Sequence, residues 1–130
     1  MDGIVHFEIP VDDLERARAF YGMFGWKLQD WKMPDGSTYI GVHTTPIDET
    51  TRLPLKPGVI NGGIMKRTAD VKAPVFAINV SSIDEKVSMI EKAGGTVVMP
   101  KVDMMGMGFY AYVKDPDGNV IGLWEDVKKA

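Results

Sequence analysis

The signals for secondary structure occur twice in the same order, a strand, a helix and then three strands, along 130 residues. Each half opens on a strand with alternating apolar residues, Phe7 and Ile9 in the first half and Phe76 and Ile78 in the second. The phenylalanine and the isoleucine of the second half each lie 69 residues after their counterparts in the first half, because 76 − 7 and 78 − 9 are both 69. A repeated unit usually buries a face that one copy cannot bury alone. The sequence therefore predicts an α+β fold made of two βαβββ modules.

The first module is predicted to cover residues 1–66. Its helix begins after Asp12 or Asp13, because an aspartate side chain accepts the free amide protons of a helix start, and it ends at Gly25. A long loop rich in proline, glycine and charge precedes the last strand, and a polar linker over 67–73 follows the module. The predicted elements are a helix over 13–24 and strands over 3–10, 26–31, 38–44 and 59–66.

The second module is predicted to cover residues 74–127. Ser81 or Ser82 caps its helix, and a methionine-rich loop separates two of its strands. The polar tail from Asp126 to Ala130 is expected to fray. The predicted elements are a helix over 83–93 and strands over 74–80, 96–99, 109–113 and 119–125.

The last strands of the modules are aligned on the turn glycines Gly58 and Gly118. Met65 and Glu125 lie equally far beyond these glycines, because 65 − 58 equals 125 − 118. This alignment predicts that Met65 and Glu125 are equivalent, and that Trp124 points away from Glu125 toward the helix layer.

Composition excludes several classes of partner. The chain has 15 basic and 18 acidic residues and a net charge of −3, so it has no basic field for nucleic acid or anionic lipid. It has no cysteine, which excludes disulfides, thiolate nucleophiles and cysteine metal sites. No apolar run reaches membrane-spanning length, and the first residues lack a signal-peptide pattern. We therefore expect a cytoplasmic protein.

The first strand carries the candidate chemistry. His6 and Glu8 alternate with Phe7 and Ile9, so an imidazole and a carboxylate share the face opposite the apolar one. His6 either contacts a ligand or is hydrogen-bonded to Glu8 or Glu125 within the sheet. If the fold brings Glu8 and Glu125 beside His6, one of the carboxylates could act as a general base.

Aromatic and methionine side chains are candidates for a ligand pocket. Tyr39 and His43 lie on one face of the third strand, although His43 fits a rim or surface position as well. Phe109, with Tyr110 or Tyr112, could line the same pocket, and the methionine-rich loop could form an adaptable apolar wall.

Six short motifs connect the chain to a known group of proteins. They are HFEIPVDD at 6–13, AFYGMFGW at 19–26, NGGIMKR at 61–67, EKAGG at 91–95, KDPDGN at 114–119 and GLWE at 122–125. With these motifs the chain resembles the vicinal oxygen chelate superfamily of glyoxalase I, bleomycin-resistance proteins and extradiol dioxygenases. The resemblance implies that the two modules form one curved mixed sheet around a cleft, and that the protein is a homodimer.

The resemblance also implies a metal site at four positions, which fall here on His6, Met65, Val75 and Glu125. His6 and Glu125 suit a divalent ion such as Zn, Ni, Mn or Fe, whereas Met65 offers a weak thioether and Val75 offers nothing. Glu8 is a candidate for a third ligand. A catalytic metal site normally has at least three protein ligands.

Two functions follow from the resemblance. In the first, a divalent metal on His6 and Glu125 assists lyase or isomerase chemistry on a small vicinal-oxygen compound, and Glu8 or Glu125 moves the proton. In the second, a metal-free dimer binds a small molecule, as bleomycin-resistance proteins do. A dimeric scaffold with a vestigial site is a third interpretation.

Overall fold

A computed structural model describes residues 1–127 and contains, within them, eight strands and two helices. The elements of the first half are β1 (Ile4–Val11), α1 (Leu14–Tyr21), β2 (Lys27–Lys32), β3 (Thr38–His43) and β4 (Asn61–Lys66). Those of the second half are β5 (Val75–Asn79), α2 (Ile83–Lys92), β6 (Thr96–Asp103), β7 (Gly108–Lys114) and β8 (Val120–Asp126). The predicted α+β class and the two βαβββ modules are confirmed.

The chain divides into two compact units. The first unit is His6–Pro74, and the second unit combines Met1–Val5 with the chain from Val75 onward. Strand order is β2-β3-β4-β1 in the first unit and β5-β8-β7-β6 in the second, and in each unit the first strand pairs in parallel with the last. The same topology therefore occurs twice. A cleft formed by both modules stays a prediction.

Both helices begin at a side-chain cap. Asp13 accepts a hydrogen bond from the Arg16 amide at 3.0 Å, and Ser82 accepts one from the Glu85 amide at 3.2 Å. The α-helical part of α1 ends at Tyr21, earlier than predicted, and a 3-10 turn over 22–24 leads to Gly25 in the left-handed conformation. The 3-10 turn takes the place of the last α-helical turn, and the chain then reverses direction into β2.

Two strand boundaries differ from prediction by more than one residue, the start of β4 and the end of β6, and the end of β8 bears on the predicted tail. β4 begins at Asn61 rather than residue 59, and β8 continues to Asp126, so that residue belongs to a strand and not to a frayed tail. The rest of the predicted tail, apart from Val127, lies outside the described residues. β6 continues to Asp103 because two register shifts, on either side of Met99, carry its pairing with β7 into the predicted methionine-rich loop.

Each unit packs an apolar face of its strands against its own helix. The buried cluster of the first unit is Ala17, Ile40, Val42 and Ile64, and that of the second unit is Val80, Ile83, Ala111, Val113 and Leu123. In both units the residues between these positions lie on the opposite face of the strands, which we call the open face. In the described part of the chain, neither helix is long and apolar enough to cross a membrane.

The strand register corrects the predicted alignment of the last strands. Ile9 pairs with Ile64 in the first unit, and its equivalent Ile78 pairs with Leu123 in the second. Ile64 is therefore equivalent to Leu123, and Met65, the next residue, corresponds to Trp124. The predicted equivalence of Met65 and Glu125 was wrong by one position, a difference that moves a side chain to the other face of a strand.

A tyrosine lies across a glycine in both units. A Cβ built on Gly63 would lie 1.8 Å from the Tyr39 hydroxyl oxygen, and one on Gly122 would lie 2.0 Å from the Tyr110 hydroxyl oxygen. Any side chain at either glycine would occupy the space of the tyrosine ring. The corrected register makes Gly63 and Gly122 equivalent, so the arrangement is a shared feature of the duplicated fold.

The first residues of the chain belong to the second unit. The Asn79 amide donates a hydrogen bond to the Gly3 carbonyl at 2.9 Å, and Lys86 forms an ion pair with Asp2 at 3.3 Å. β1 therefore contributes to both units, because Ile4 and Val5 belong to the second and His6 to Val11 belong to the first.

The predicted linker over 67–73 is held against the first unit. The Arg67 guanidinium donates to Asp12 at 2.9 Å and also donates to the Lys72 carbonyl, and Val71 is 2% exposed. This segment therefore packs against the unit that precedes it.

Replacing Gly122 tests the close approach of tyrosine and glycine. We expect Gly122→Ala to lower the free energy of unfolding by about 1–3 kcal/mol, because the buried Tyr110 ring has to move. Gly3→Ala is the matched control, since no atom lies within 4 Å of its added Cβ, and we expect a change within about 0.5 kcal/mol. Urea unfolding measures both; equal stabilities of the two variants would contradict the prediction.

Candidate functional site

A hydrogen-bonded pair lies on the open face of the first unit. The His6 Nε2 atom is 3.0 Å from the Tyr39 hydroxyl oxygen, and both residues are half-buried. β1 carries His6 and β3 carries Tyr39, and Gly63 on the intervening β4 leaves room for the tyrosine to reach across. The pair depends on this glycine.

Glu8 lies on the same open face as His6, two residues farther along β1. Glu8 is 5% exposed. It pairs in register with Gly63 of β4, the glycine over which the Tyr39 hydroxyl lies. The structure therefore brings together three of the predicted site residues, His6, Glu8 and Tyr39, which we call the His6 cluster. The sequence predicts Tyr39 in a ligand pocket but does not predict its hydrogen bond with His6.

Burial keeps the two ring groups of the His6 cluster uncharged. It lowers the pKa of His6 below 6.5, although the nearby Glu8 partly opposes this effect. Burial, and then the charge of Glu8, raise the pKa of the Tyr39 hydroxyl far above its usual range. Near neutral pH the cluster therefore offers a neutral imidazole and a neutral phenol, both of which are able to donate a hydrogen bond.

His43 lies at the end of β3 on the same face as Tyr39, is half-buried, and pairs in register with Lys27 of β2. Beside it, the Trp31 indole lies over Gly41, whose added Cβ would be 2.8 Å from the indole nitrogen. These rings extend the open face beyond the His6 cluster. Contact of His43 with a ligand stays a prediction.

Glu125 accepts a hydrogen bond at the start of the second helix. Its Oε1 atom accepts a hydrogen bond from the Ile83 amide, the first residue of α2, at 2.7 Å, and Glu125 is 7% exposed. Its Oε2 atom lies 3.9 Å from the Lys101 ammonium group. The carboxylate points toward the helix layer because the start of a helix supplies free amide donors there. A catalytic or metal-binding role for Glu125, and its meeting with His6, stay predictions.

Trp124 and Phe109 occupy faces that the sequence analysis did not foresee. Trp124 lies on the open face against Tyr110, with ring centroids 6.2 Å apart, so its predicted direction toward the helix was wrong. Phe109 packs beside the helix-facing core, and the Lys101 ammonium lies 4.7 Å from its ring centroid. Tyr110 and Tyr112 lie on the opposite side of β7. Contact of Phe109 with a ligand stays a prediction.

The second unit repeats the scaffold of the His6 cluster without its polar groups. In the alignment of the two first strands, Val75 and Ala77 stand where the first unit has His6 and Glu8. Tyr110 still lies across Gly122, and the added Cβ there would be 3.1 Å from the Ala77 side chain. The signal for this equivalence was in the sequence: Gly63-Ile64-Met65 aligns with Gly122-Leu123-Trp124.

Comparison with known proteins identifies the family. The sequence profile of the Glyoxalase/Bleomycin resistance protein/Dioxygenase superfamily matches residues 3–123, which is most of the chain. The chain belongs to this superfamily. The predicted family resemblance is therefore confirmed.

Two solved structures show how widely the superfamily fold is shared. A hypothetical protein from Bacillus halodurans superposes with a TM-score of 0.67 at 15% identity and covers 99% of this chain and 97% of its own. A superfamily member from Vibrio splendidus gives a TM-score of 0.62 at 12% identity, over 97% and 100% of the two chains. At these identities the likeness shows the fold alone.

The curated relatives of this superfamily member are longer proteins. "Putative glyoxylase CFP32" of Mycobacterium tuberculosis is 27% identical over 122 residues, which cover 91% of this chain and 43% of that protein. "Anthracycline biosynthesis protein DauV" of a Streptomyces species is 28% identical over 129 residues, which cover 91% and 45%. The chain thus spans less than half the length of the curated relatives it matches.

The side chains of this superfamily member do not fit the metal site that the resemblance implied. Within residues 1–127, no group of three or more histidine, aspartate and glutamate side chains is placed to hold a metal ion. Of the four positions that the resemblance implied, Met65 and Val75 carry no good ligand for a divalent ion, and the Glu125 carboxylate accepts the hydrogen bond of the Ile83 amide.

Removing the Glu125 carboxylate tests its role at the helix start. We expect Glu125→Ala to lower the free energy of unfolding by about 1–3 kcal/mol, because the buried Ile83 amide loses its acceptor. Glu125→Gln keeps an acceptor oxygen, and we expect it to lose less than half as much. Urea unfolding followed by circular dichroism measures both; equal losses in the two variants would contradict the capping role.

The lowered pKa of His6 predicts a pH dependence of stability. Between this pKa and 6.5, the unfolded chain binds the proton more tightly, so the free energy of unfolding falls as the pH drops through this window. Through this titration, His6 changes the free energy of unfolding by at most about 1.4 kcal/mol per pH unit.

His6→Gln should remove that contribution, whereas His43→Gln, which changes the other of the two histidines, should keep it. Urea unfolding at about pH 7.5 and about pH 5.5 supplies the comparison. If both variants and the parent chain lose equal stability on acidification, the His6 imidazole is not the cause of the pH dependence.

Proposed function

We propose that this chain binds a small organic carbonyl compound on the open face of its first unit, without a metal ion. The observation that carries the proposal is the hydrogen bond between His6 and Tyr39 on that face, with the buried Glu8 beside them. Because one of these two neutral groups donates to the other, the pair keeps one donor for a carbonyl oxygen, which is a neutral acceptor. A site of this kind fixes its ligand by a few placed polar groups among apolar and aromatic surface.

Two further observations support a metal-free site over metal-assisted lyase or isomerase chemistry. His6, the best metal ligand among the family positions, already bonds the Tyr39 hydroxyl. Glu125, the second ligand expected from the sequence, accepts the hydrogen bond of the α2 start. The Nε2 atom of His6 and the Oε1 atom of Glu125 are thus engaged in hydrogen bonds within the protein, and one imidazole alone holds a divalent ion weakly.

The name of one relative supports an aromatic ligand. DauV is named for anthracycline biosynthesis, and anthracyclines are fused-ring compounds that carry ketone groups. The Trp31 and Tyr39 rings on β2 and β3 offer flat surfaces for such a ring system. We therefore propose a fused-ring ketone as the class of ligand, and 2-tetralone as a simple probe of it.

Titration with 2-tetralone tests the proposal. We expect saturable binding by EDTA-treated protein in isothermal calorimetry, and an affinity about tenfold weaker in Tyr39→Phe, which lacks the hydroxyl donor. Tyr21→Phe is the matched control, because Tyr21 stacks on Trp26 in the aromatic group beside α1, with centroids 5.5 Å apart, and we expect it to bind as the parent does.

The same protein separates the two candidate functions. Metal-assisted chemistry predicts that Zn²⁺, Ni²⁺, Mn²⁺ or Fe²⁺ raises the melting temperature, and that His6→Ala abolishes the rise. The metal-free proposal expects no rise. Binding of 2-tetralone only after one of these ions is added would contradict it.

A further inference from the structure

We propose that a groove between α1 and the end of β1 binds a small aromatic carboxylate, with Arg16 as the cation that holds the carboxylate and Phe20 as the surface on which the ring packs. The residues that line the groove belong to the first unit, and none of them belongs to the His6 cluster. The groove is therefore a second site, and its occupation does not depend on the carbonyl binding proposed above.

The groove has the size and the lining of a small-molecule site. Its volume is about 440 Å³, and pockets that bind small molecules have roughly 300–1,000 Å³. Ile9 and Val11 of β1, Ala17 and Phe20 of α1, and Pro74 contribute to its apolar wall. Sites of this kind combine such a wall with a small number of placed polar groups that fix the ligand. The polar groups of the groove therefore decide the class of ligand.

Phe20 offers an aromatic surface in this groove. It is 51% exposed although it lies beside two other rings. Edge-on contacts hold the Phe20 ring against Tyr21 and Phe24, whose ring centroids lie 5.0 and 5.9 Å from its own. A ring that is already held in place loses little conformational freedom when a ligand packs on it, and aromatic rings pack well on one another. We therefore expect an aromatic ligand.

The charged side chains of the groove leave one cation without a partner. Asp12 accepts a hydrogen bond from the Arg67 guanidinium at 2.9 Å, and Asp13 accepts one from the Arg16 amide at 3.0 Å. Within residues 1–127, the Arg16 guanidinium itself forms no ion pair and no hydrogen bond. A guanidinium presents planar N–H donors that bind a carboxylate through two parallel hydrogen bonds. Arg16 therefore favours a carboxylate on the ligand.

The nearby aspartates do not reverse the sign of the charge at the groove. The hydrogen bond from the Arg16 amide lowers the pKa of Asp13, and the charges of Arg16 and Lys66 lower it further. With Arg67, three cations thus lie close to Asp12 and Asp13, and the excess of one positive charge complements a monoanion. The Arg16 amide is already used by Asp13, so the ligand is held by the guanidinium and not by the start of the helix.

The second unit has the opposite charge at the matching position. Both helix caps accept a hydrogen bond from the amide three residues farther on, so Arg16 matches Glu85. Four residues later along each helix, Phe20 matches Met89. The duplicated fold therefore forms with an anion and a flexible apolar side chain at these two positions. A guanidinium beside an exposed ring is not needed for the fold, which supports a role in binding.

Titration with 2-naphthoate, a two-ring carboxylate, tests the proposal. We expect saturable binding in isothermal calorimetry with a Kd below about 1 mM, and a loss of affinity of about tenfold or more in Arg16→Gln. Arg16→Gln keeps the backbone amide that binds Asp13, so the helix start is preserved. Arg52→Gln is the matched control, because it removes the charge of an exposed arginine on the loop before β4, and we expect it to bind as the parent does.

The choice of ligand supplies a test that needs no variant. 2-Naphthamide has the same rings and no charge, and we expect it to bind the parent chain about tenfold more weakly than 2-naphthoate. In Arg16→Gln the two compounds should bind within about threefold of each other, because the charge that separates them in the parent is gone. Equal affinities of the two compounds for the parent chain would overturn the role of Arg16.

Two phenylalanine variants test the aromatic surface. Phe20→Ala should weaken the binding of 2-naphthoate about tenfold, since the ring on which the ligand packs is lost. Phe24→Ala removes the neighbouring exposed ring, which does not line the groove, and should change the Kd by less than about twofold. Amide NMR spectra check that each variant is folded. Equal losses of affinity in the two folded variants would overturn the role of Phe20.

The position of the bound ligand separates the groove from the open face. We expect 2-naphthoate to shift the amide NMR signals of Val11 and α1 more than those of β3 and α2. Shifts confined to β3 would place the ligand at the His6 cluster and overturn the groove as its site. Absence of saturable binding would overturn the proposal altogether, whereas the titration with 2-tetralone is a separate measurement that decides the carbonyl site alone.

Discussion

Parallel pairing of the first and last strand fixes the two faces of each unit. Ile9 beside Ile64, and Ile78 beside Leu123, turn their side chains toward a helix, and the alternation of a strand then sends their neighbours to the open face. His6 and Glu8 owe their positions to this pairing, and Tyr39 owes its position to the pairing of β3 with β4. A slip of one residue would bury His6 and Glu8 against α1 and expose the core.

A single scaffold therefore carries two different sets of side chains. Both units lay a tyrosine over a glycine, but the first has an imidazole and a carboxylate on its first strand, and the second has valine and alanine at the matching positions. The contrast shows that the fold does not need the polar groups. Since the same topology forms with valine and alanine at these positions, the imidazole and the carboxylate of the first unit favour a functional explanation.

The sequence was sufficient for the elements and for the face of β1, because alternating apolar residues have one stable arrangement beside a helix. It also identified Asp13 and Ser82 among the cap candidates. It did not predict the direction of Glu125, because that depends on a hydrogen bond to the Ile83 amide, which is distant in sequence. The expectation that Glu125 lies beside His6 rested on the family resemblance and on the alignment of the turn glycines, and neither contains this hydrogen bond.

The placement of Met1–Val5 in the second unit has a consequence for how the chain acquires its structure. The Gly3 carbonyl accepts its hydrogen bond from Asn79, and Asp2 pairs with Lys86. During synthesis, Gly3 and Asp2 emerge well before these partners exist, since a ribosome adds roughly 5–20 residues per second. Asp2 and Gly3 therefore lack these partners for several seconds, and they form their final contacts only after the whole first unit has left the ribosome.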